Sequence, residues 1–215
     1  MDHTIGTVIS ELTRVYPKLK TTLRFKTPFQ LLIATMLSAQ CTDERVNQVT
    51  KDLFKRLNKP EDFANIKLKD LETIIRSTGY YKLKAKRIRN ASRMIVRKFN
   101  SDVPNNMKDL LSLDGVGRKT ANIVLFVVFD KIDGIAVDTH VARCSRRLGW
   151  TKSKNPNRIE TDLRSVISRD LWGEVSMLLI LHGREICTSR KPRCEKCILK
   201  DMCPSAFRFN HGTTL

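Results

Sequence analysis

The sequence contains no apolar stretch long enough to cross a bilayer. Its longest largely hydrophobic runs, Leu31–Leu37 and Ile123–Phe129, fall far short of the roughly 20 residues that a spanning helix needs. Met1–Arg14 has no basic segment followed by an apolar one, so no secretory signal is expected. Internal repeats and low-complexity linkers are missing, and strand-like runs are missing apart from the short Ile135–Val137 piece. These absences exclude membrane-spanning, secreted and repeat architectures. They leave a globular chain of 215 residues, read as soluble and intracellular, with enough length for one domain or two small lobes.

Acidic residues are also scarce: 22 stand against 40 Lys and Arg, a formal charge of +18. Such an excess predicts a polyanionic partner, because each phosphate that a cation neutralises releases condensed counterions. Anionic lipid is the alternative, but the distribution favours nucleic acid. Between Arg76 and Lys98 there is no acid at all, while Leu83, Ile88, Met94 and Ile95 are interleaved with the cations Lys82, Lys84, Lys86, Arg87, Arg89, Arg93, Arg97 and Lys98. That pattern reads as a helix with a basic, solvated face.

Periodicity is helical almost throughout, so the fold class is all-α. Thr27-Pro28-Phe29-Gln30 predicts a helix start, with Thr27 as N-cap, Pro28 in the first turn and Gln30 completing a capping box; this helix should run to about Ala39. Thr42 is predicted to cap the next, with Asp43 and Glu44 at its positive end and Val46, Val49, Leu53 and Phe54 facing inward. Further helices are expected around Leu68–Thr78, Lys84–Phe99, Pro104–Ser112, Arg118–Phe129, Asn157–Ser168 and Leu171–Glu185. The Asp130–Gly134 turn is the candidate boundary between two lobes, one of residues 22–134 and one joining 1–21 to 135–215. The tail after Pro204 is expected to fray.

Six cysteines occur. Cys41 and Cys144 stand alone in apolar helical patterns and read as buried core thiols. The other four are spaced Cys187-x6-Cys194-x2-Cys197-x5-Cys203. In an intracellular chain such crowding favours a metal site over disulfides. Four thiolates fit either Zn2+ or an iron–sulfur cluster. One CxxC flanked by single cysteines makes a compact irregular loop that wraps a cubane more naturally than one small ion, although composition leaves both open. Pinned between ligands, Arg190, Lys191 and Arg193 would be presented to phosphates.

The string Leu113-Asp114-Gly115-Val116-Gly117-Arg118-Lys119-Thr120 lies between two helical patterns. Its glycines allow a tight turn with positive φ and leave N–H groups exposed at the start of the Arg118 helix, an anion-binding arrangement. Leu113, Gly115, Val116, Gly117 and Arg118 are thus candidates to grip a DNA backbone without reading its sequence. Lys119 is either one more phosphate-binding cation or the amine nucleophile of Schiff-base chemistry. Asp138, ahead of Thr139, His140 and Arg143, is either a plain N-cap or a carboxylate that activates a nucleophile and stabilises positive charge at a sugar C1′. His140 and Arg143 read as structural or phosphate contacts, and His182 as a satisfied interior histidine.

Taken in order, LSAQCTDERVN (37–47), LDGVGRKTAN (113–122), AVDTHVAR (136–143), LHGR (181–184) and the four-cysteine loop resemble the endonuclease III family of helix-hairpin-helix DNA glycosylases. The resemblance covers roughly Lys20 to Pro204. It implies a helix-hairpin-helix barrel lobe and an iron–sulfur lobe with a DNA-binding cleft between them, and a [4Fe-4S] cluster ligated by Cys187, Cys194, Cys197 and Cys203. It further implies base-excision repair by a monomer acting on double-stranded DNA with a damaged pyrimidine or abasic site, associated with DNA in the cytoplasm, nucleoid or nucleus. Activity would combine N-glycosylase and abasic-site lyase steps. Lys119 matches the family's nucleophile and Asp138 its catalytic aspartate. Gln40 matches the residue that fills the hole left by a flipped base. Tyr80 stands at the intercalating wedge, where leucine is typical, and Lys82 replaces a commoner asparagine, so opposite-strand preference is not carried over. Lys119 argues against a monofunctional thymine or uracil mismatch glycosylase, and chain length against an adenine glycosylase with its extra C-terminal domain. The pairing of Lys119 with Asp138 argues against a non-catalytic, redox-sensing DNA binder.

Overall fold

The computed structural model describes residues 5–16 and 21–208. All regular structure among them is helical, as the periodicity predicts. They divide into two compact units, one of residues 21–131 and one drawn from residues 5–16 and 132–208. No helix among the described residues is long and apolar enough to cross a membrane.

The first unit is built around α2 (Pro28–Leu37), in which Phe29 to Leu37 are all buried. A helix apolar on every side must be covered on every side. Its cover is α3 (Asp43–Arg56), α6 (Tyr81–Lys98) and α8 (Arg118–Phe129). The Thr27 hydroxyl accepts from Gln30 N at 3.2 Å. The Gln30 side chain, however, accepts from Lys26 N at 2.8 Å rather than from the cap residue itself. The helix ends at Leu37, two residues before the expected Ala39. Thr42 caps α3 through Arg45 N at 3.3 Å.

A short helix, α4 (Pro60–Asn65), lies outside the sequence expectations and packs on α6, with Phe63 edge-on to Phe29 at 5.3 Å between ring centroids. The predicted Leu68–Thr78 helix is α5 (Leu68–Ile74) followed by a 3-10 turn, Arg76–Thr78. α7 (Met107–Ser112) starts three residues after Pro104 because Asn106 is its cap, accepting from Asp109 N at 2.9 Å. Cys41 is half-buried against this core, not enclosed by it.

The second unit is centred on α11 (Trp172–Glu185), against which α1 (Ile5–Val15) and α9 (Thr139–Arg147) pack, with α10 (Pro156–Val166) on α9. The contact of α9 with α11 is close at Gly183: a Cβ there would lie 2.9 Å from His140 Cβ and 3.1 Å from Cys144 Sγ, so the LHGR glycine is a packing requirement. Ile135–Val137 forms no strand. With no partner strand available, Ala136 N donates instead to Ser176 Oγ on α11 at 2.9 Å. After Pro204 the chain turns rather than frays as far as Arg208, with Ala206 N donating to Cys203 O at 3.0 Å; residues 209–215 lie outside the described residues.

Candidate active site and nucleic-acid interface

The turn between α7 and α8 is closed by Val116 N donating to Leu113 O at 3.1 Å. Leu113 and Val116 are buried, so their side chains belong to the core and only their backbone can meet a phosphate. The two glycines differ. Gly115 has φ +80°, and a Cβ on it would meet Arg87 Cβ and Cδ at 2.9 Å and Met36 Cε at 3.1 Å. Gly117 is extended, at φ −97°, so of the two glycines Gly115 supplies the turn's positive φ. It is the N-cap of α8 with no side-chain cap bond, and nothing lies within 4 Å of where its Cβ would be. The N–H groups of the first turn of α8 are therefore approachable by an anion. The nearby acid is turned aside: Asn90 Nδ2 donates to Asp114 Oδ2 at 2.9 Å, and Arg87 Nε is 3.9 Å from Oδ1. Arg118 and Lys119 are exposed on that same first turn.

The glycine contrast is testable. Gly115→Ala is expected to cost about 1–3 kcal/mol of stability, by strain and overpacking. Gly117→Ala should cost under about 1 kcal/mol as a poorer cap yet weaken binding to an undamaged duplex. Thermal melts and anisotropy titrations separate the two. Equal melting losses with unchanged affinity for Gly117→Ala would remove this turn from the interface.

A second group assembles in the same unit from segments far apart in sequence. A cavity of about 250 Å³ is lined by Met36, Gln40, Tyr80, Lys84, Arg87 and Gly115, with Ala39 and Leu83. Gln40 and Tyr80 are both non-glycine residues in the left-handed region, at φ +53° and +49°. Tyr80 is 65% exposed, a large ring held out from the surface. Lys84 corrects the picture of an evenly solvated basic helix. It is buried, and its Nζ donates to Leu37 O at 2.8 Å and Thr78 O at 2.7 Å. The cations left exposed on α6 include Lys82, Lys86, Arg87, Arg93, Arg97 and Lys98.

In the other unit Asp138 is the N-cap of α9, its Oδ1 accepting from His140 N at 2.8 Å and Val141 N at 2.9 Å. Arg143 is half-buried, its Nε donating to Cys187 O at 2.9 Å and its Nη2 to Gly183 O at 2.8 Å and His140 Nδ1 at 3.0 Å. Its guanidinium ties α9 to α11 and to the cysteine loop. Burial, with help from Arg143, holds His140 below the usual imidazole range against the pull of Asp138, so the ring is neutral and accepts through Nδ1.

Cys187, Cys194, Cys197 and Cys203 line one hollow, together with Cys144, Arg147 and His182. Among the described residues no set of three or more His, Cys, Asp or Glu side chains gathers closely enough to hold a single ion. Burial pushes the Cys197 thiol up to about 11 and raises Cys203 as well. Such sulfurs are thiolates only against a multiply charged metal centre. Four cysteines around one hollow are a donor set that fits a polynuclear cluster.

Arg147 is buried beneath the loop, its Nη1 donating to Cys187 Sγ at 3.3 Å and Thr188 O at 2.7 Å, its Nη2 to Ser189 O at 2.9 Å. His182, an interior histidine as expected, also reaches the loop: Nε2 is 3.5 Å from Cys197 Sγ, and Nδ1 is 3.4 Å from Tyr16 Oη. Arg190, Lys191 and Arg193 stay exposed.

Residues 33–169 match the family model described as the HhH-GPD superfamily base excision DNA repair protein, and residues 187–203 match the iron-sulfur binding domain of endonuclease III. The Synechocystis protein named endonuclease III is 49% identical over 195 residues, spanning 91% of this chain and 89% of that one. The chain belongs to the endonuclease III family. Two solved structures of the family agree in fold over nearly the whole length. A non-covalent endonuclease III–DNA complex superposes with a TM-score of 0.90 at 38% identity, covering 95% of each chain. A trapped endonuclease III–DNA covalent intermediate, an estranged-adenine complex, gives 0.90 at 39% identity, covering 95% of this chain and 96% of that one.

As an endonuclease III family member the protein carries a [4Fe-4S] cluster as its cofactor. Three residues around the cysteine hollow escaped sequence reasoning as neighbours of that cluster. In the sequence Arg147 is simply the last of the arginines Arg143, Arg146 and Arg147, and His182 reads as a core residue. Cys144 is buried as expected, but it borders the hollow as a fifth thiol. The only available signal is that all three lie in otherwise apolar helical faces, α9 for Cys144 and Arg147 and α11 for His182.

Proposed function

We propose that this base-excision repair protein is a bifunctional N-glycosylase that removes oxidised or ring-saturated pyrimidines from double-stranded DNA and then cleaves the abasic strand. The observation that carries the reading is Lys119: an amine exposed on the first turn of α8, two residues beyond a glycine whose missing side chain leaves room for a phosphate. A backbone held there places the neighbouring sugar within reach of a lysine chain.

The damaged nucleotide leaves the stack. The amine nitrogen of Lys119 attacks C1′ as the bond from C1′ to the base breaks, the bonding pair leaving with the base, which takes up the proton that the nitrogen sheds. The C1′–O4′ bond then breaks, its pair going to O4′, which takes up a proton, and an iminium forms between Nζ and C1′. The iminium acidifies C2′; loss of that proton sends electrons towards the nitrogen, and β-elimination expels the phosphate from C3′. Water then releases Lys119. Asp138 accepts a proton or balances positive charge on the sugar. Gln40 fills the space the base vacates, and Tyr80 stacks in the opened step. Phosphates are held by the backbone of residues 113–117, by Arg118, and by Arg190, Lys191 and Arg193, with His140 and Arg143 as further contacts.

Cys187, Cys194, Cys197 and Cys203 would hold the cluster. With every ligand position used by protein, the cluster supplies scaffolding for that cationic loop rather than an open coordination site.

The test is borohydride trapping on duplexes with one thymine glycol, one abasic site or one G·T mismatch. Covalent adducts are expected on the first two. Trapping confined to G·T would favour a mismatch enzyme. No adduct on any duplex, with the cluster's absorbance intact, would favour a non-catalytic binder.

A further inference from the structure

Lys84 is a buried cation of the α6 run whose ammonium bonds the ends of two separate turns, at Leu37 O, 47 residues away, and at Thr78 O, six residues away. Leu37 is the last residue of α2 and lies three residues before Gln40; Thr78 closes the 3-10 turn and lies two residues before Tyr80. Each carbonyl is the acceptor left over where a helix stops. Both turns then force a non-glycine residue to positive φ, Gln40 at +53° and Tyr80 at +49°, conformations that persist only where the surroundings impose them. The same Lys84 forms part of the wall of the cavity that Gln40 and Tyr80 also line. Burial draws its pKa downward, so the ammonium is retained there by the two carbonyls rather than by water.

We propose that Lys84 is a positioning residue for base extrusion: one ammonium that locks the Gln40 turn to the Tyr80 turn, so that the plug and the stacking ring enter the duplex as a unit. This rests on the roles given to Gln40 and Tyr80 above. Chemistry at the sugar does not pass through Lys84. Its effect falls on steps that need a stacked base to be displaced, and spares substrates in which no base remains.

Lys84→Met removes the donor at similar length. On a thymine glycol duplex it is expected to slow single-turnover excision by roughly tenfold to a hundredfold, the scale of losing one base-stacking contact. Cleavage of a preformed abasic site should slow by no more than about threefold, since nothing has to be unstacked. A 2-aminopurine beside the lesion should brighten on binding wild type and much less on binding the variant. The decisive arm is a cycle with Tyr80→Ala. If Lys84 acts by holding Tyr80, adding Lys84→Met to Tyr80→Ala costs little further excision. Additive losses, or equal losses on both substrates, make Lys84 a general stabiliser and overturn the proposal.

Should Lys84→Met unfold, Lys84→Arg takes its place; it keeps a cation with a differently placed head and should lose excision and fluorescence rise relative to wild type, with abasic-site cleavage the less affected. Equal losses of excision and of abasic-site cleavage in Lys84→Arg would also overturn the proposal. The fluorescence arm needs no turnover. Wild type that binds but never cuts would count against the function above, while loss of the fluorescence rise in the variant would still support Lys84.

Discussion

Lys119→Ala is expected to abolish borohydride trapping and to lower strand cleavage by at least about 10³-fold, the scale on which covalent catalysts lose activity when the nucleophile is removed. DNA affinity should fall only a few-fold. The turn's grip comes from the backbone around Gly117 and from neighbouring cations such as Arg118, so one cation fewer removes about one phosphate's worth of counterion release. The split between chemistry and binding is the informative quantity. Matching losses in both would make Lys119 a phosphate contact and nothing more. Asp138→Asn is the companion variant. Asn caps helices about as well as Asp and can keep the bonds to His140 N and Val141 N, so α9 should melt as before. If turnover is also unchanged, Asp138 is only a cap.

Cys197→Ala is expected to strip the protein of its broad visible absorbance and to lower its melting temperature by more than about 10 °C, since one kcal/mol moves a unit of this size by roughly 4–8 °C. The loss exceeds that of one ligand. The buried Arg147 guanidinium, satisfied by Cys187 Sγ and two loop carbonyls, would be left without ordered partners once the loop loosens, and an uncompensated buried charge is costly. DNA affinity should drop with stability, because Arg190, Lys191 and Arg193 lose their rigid support. Wild-type protein that is colourless and contains zinc alone would refute the cluster. A variant with full absorbance would remove Cys197 from the ligands and direct attention to Cys144, the remaining thiol at that hollow.

What the sequence made legible were features written locally. Thr27 and Thr42 announce their helices because a cap bonds to an amide three residues away, and the α8 apolar run needs no distant information. α4 was missed because six residues are too few to show a period; its start is fixed by Asp62, whose carboxylate accepts from Lys59 N and Asn58 N at 3.1 and 2.9 Å. The burial of Lys84 and of Arg147 stays hidden in the sequence for a deeper reason. Lys84 reaches one backbone carbonyl 47 residues away and Arg147 reaches one 41 residues away, and a carbonyl carries no signature in the residue to which it belongs. The turn at residues 113–117 was legible as an anion site, but not the division of labour within it. Which glycine needs positive φ and which needs empty space depends on Arg87 and Met36, neither of which is near in sequence. Gln40 and Tyr80 were placed by family likeness; their common cavity required the fold.

The all-round burial of α2 has a cost during synthesis. From Pro28 to Thr42 there is no charged residue, so this segment has the composition of an aggregation-prone stretch, guarded by Arg24 and Lys26 before it and Asp43 and Glu44 after. One of the helices that covers it, α8, leaves the ribosome about 80 residues later, roughly 4–16 s at ordinary elongation rates. The unit that carries the phosphate turn is therefore at its most vulnerable before that turn exists, and slowing translation between α2 and α8 should lower the yield of folded protein more than slowing it anywhere downstream.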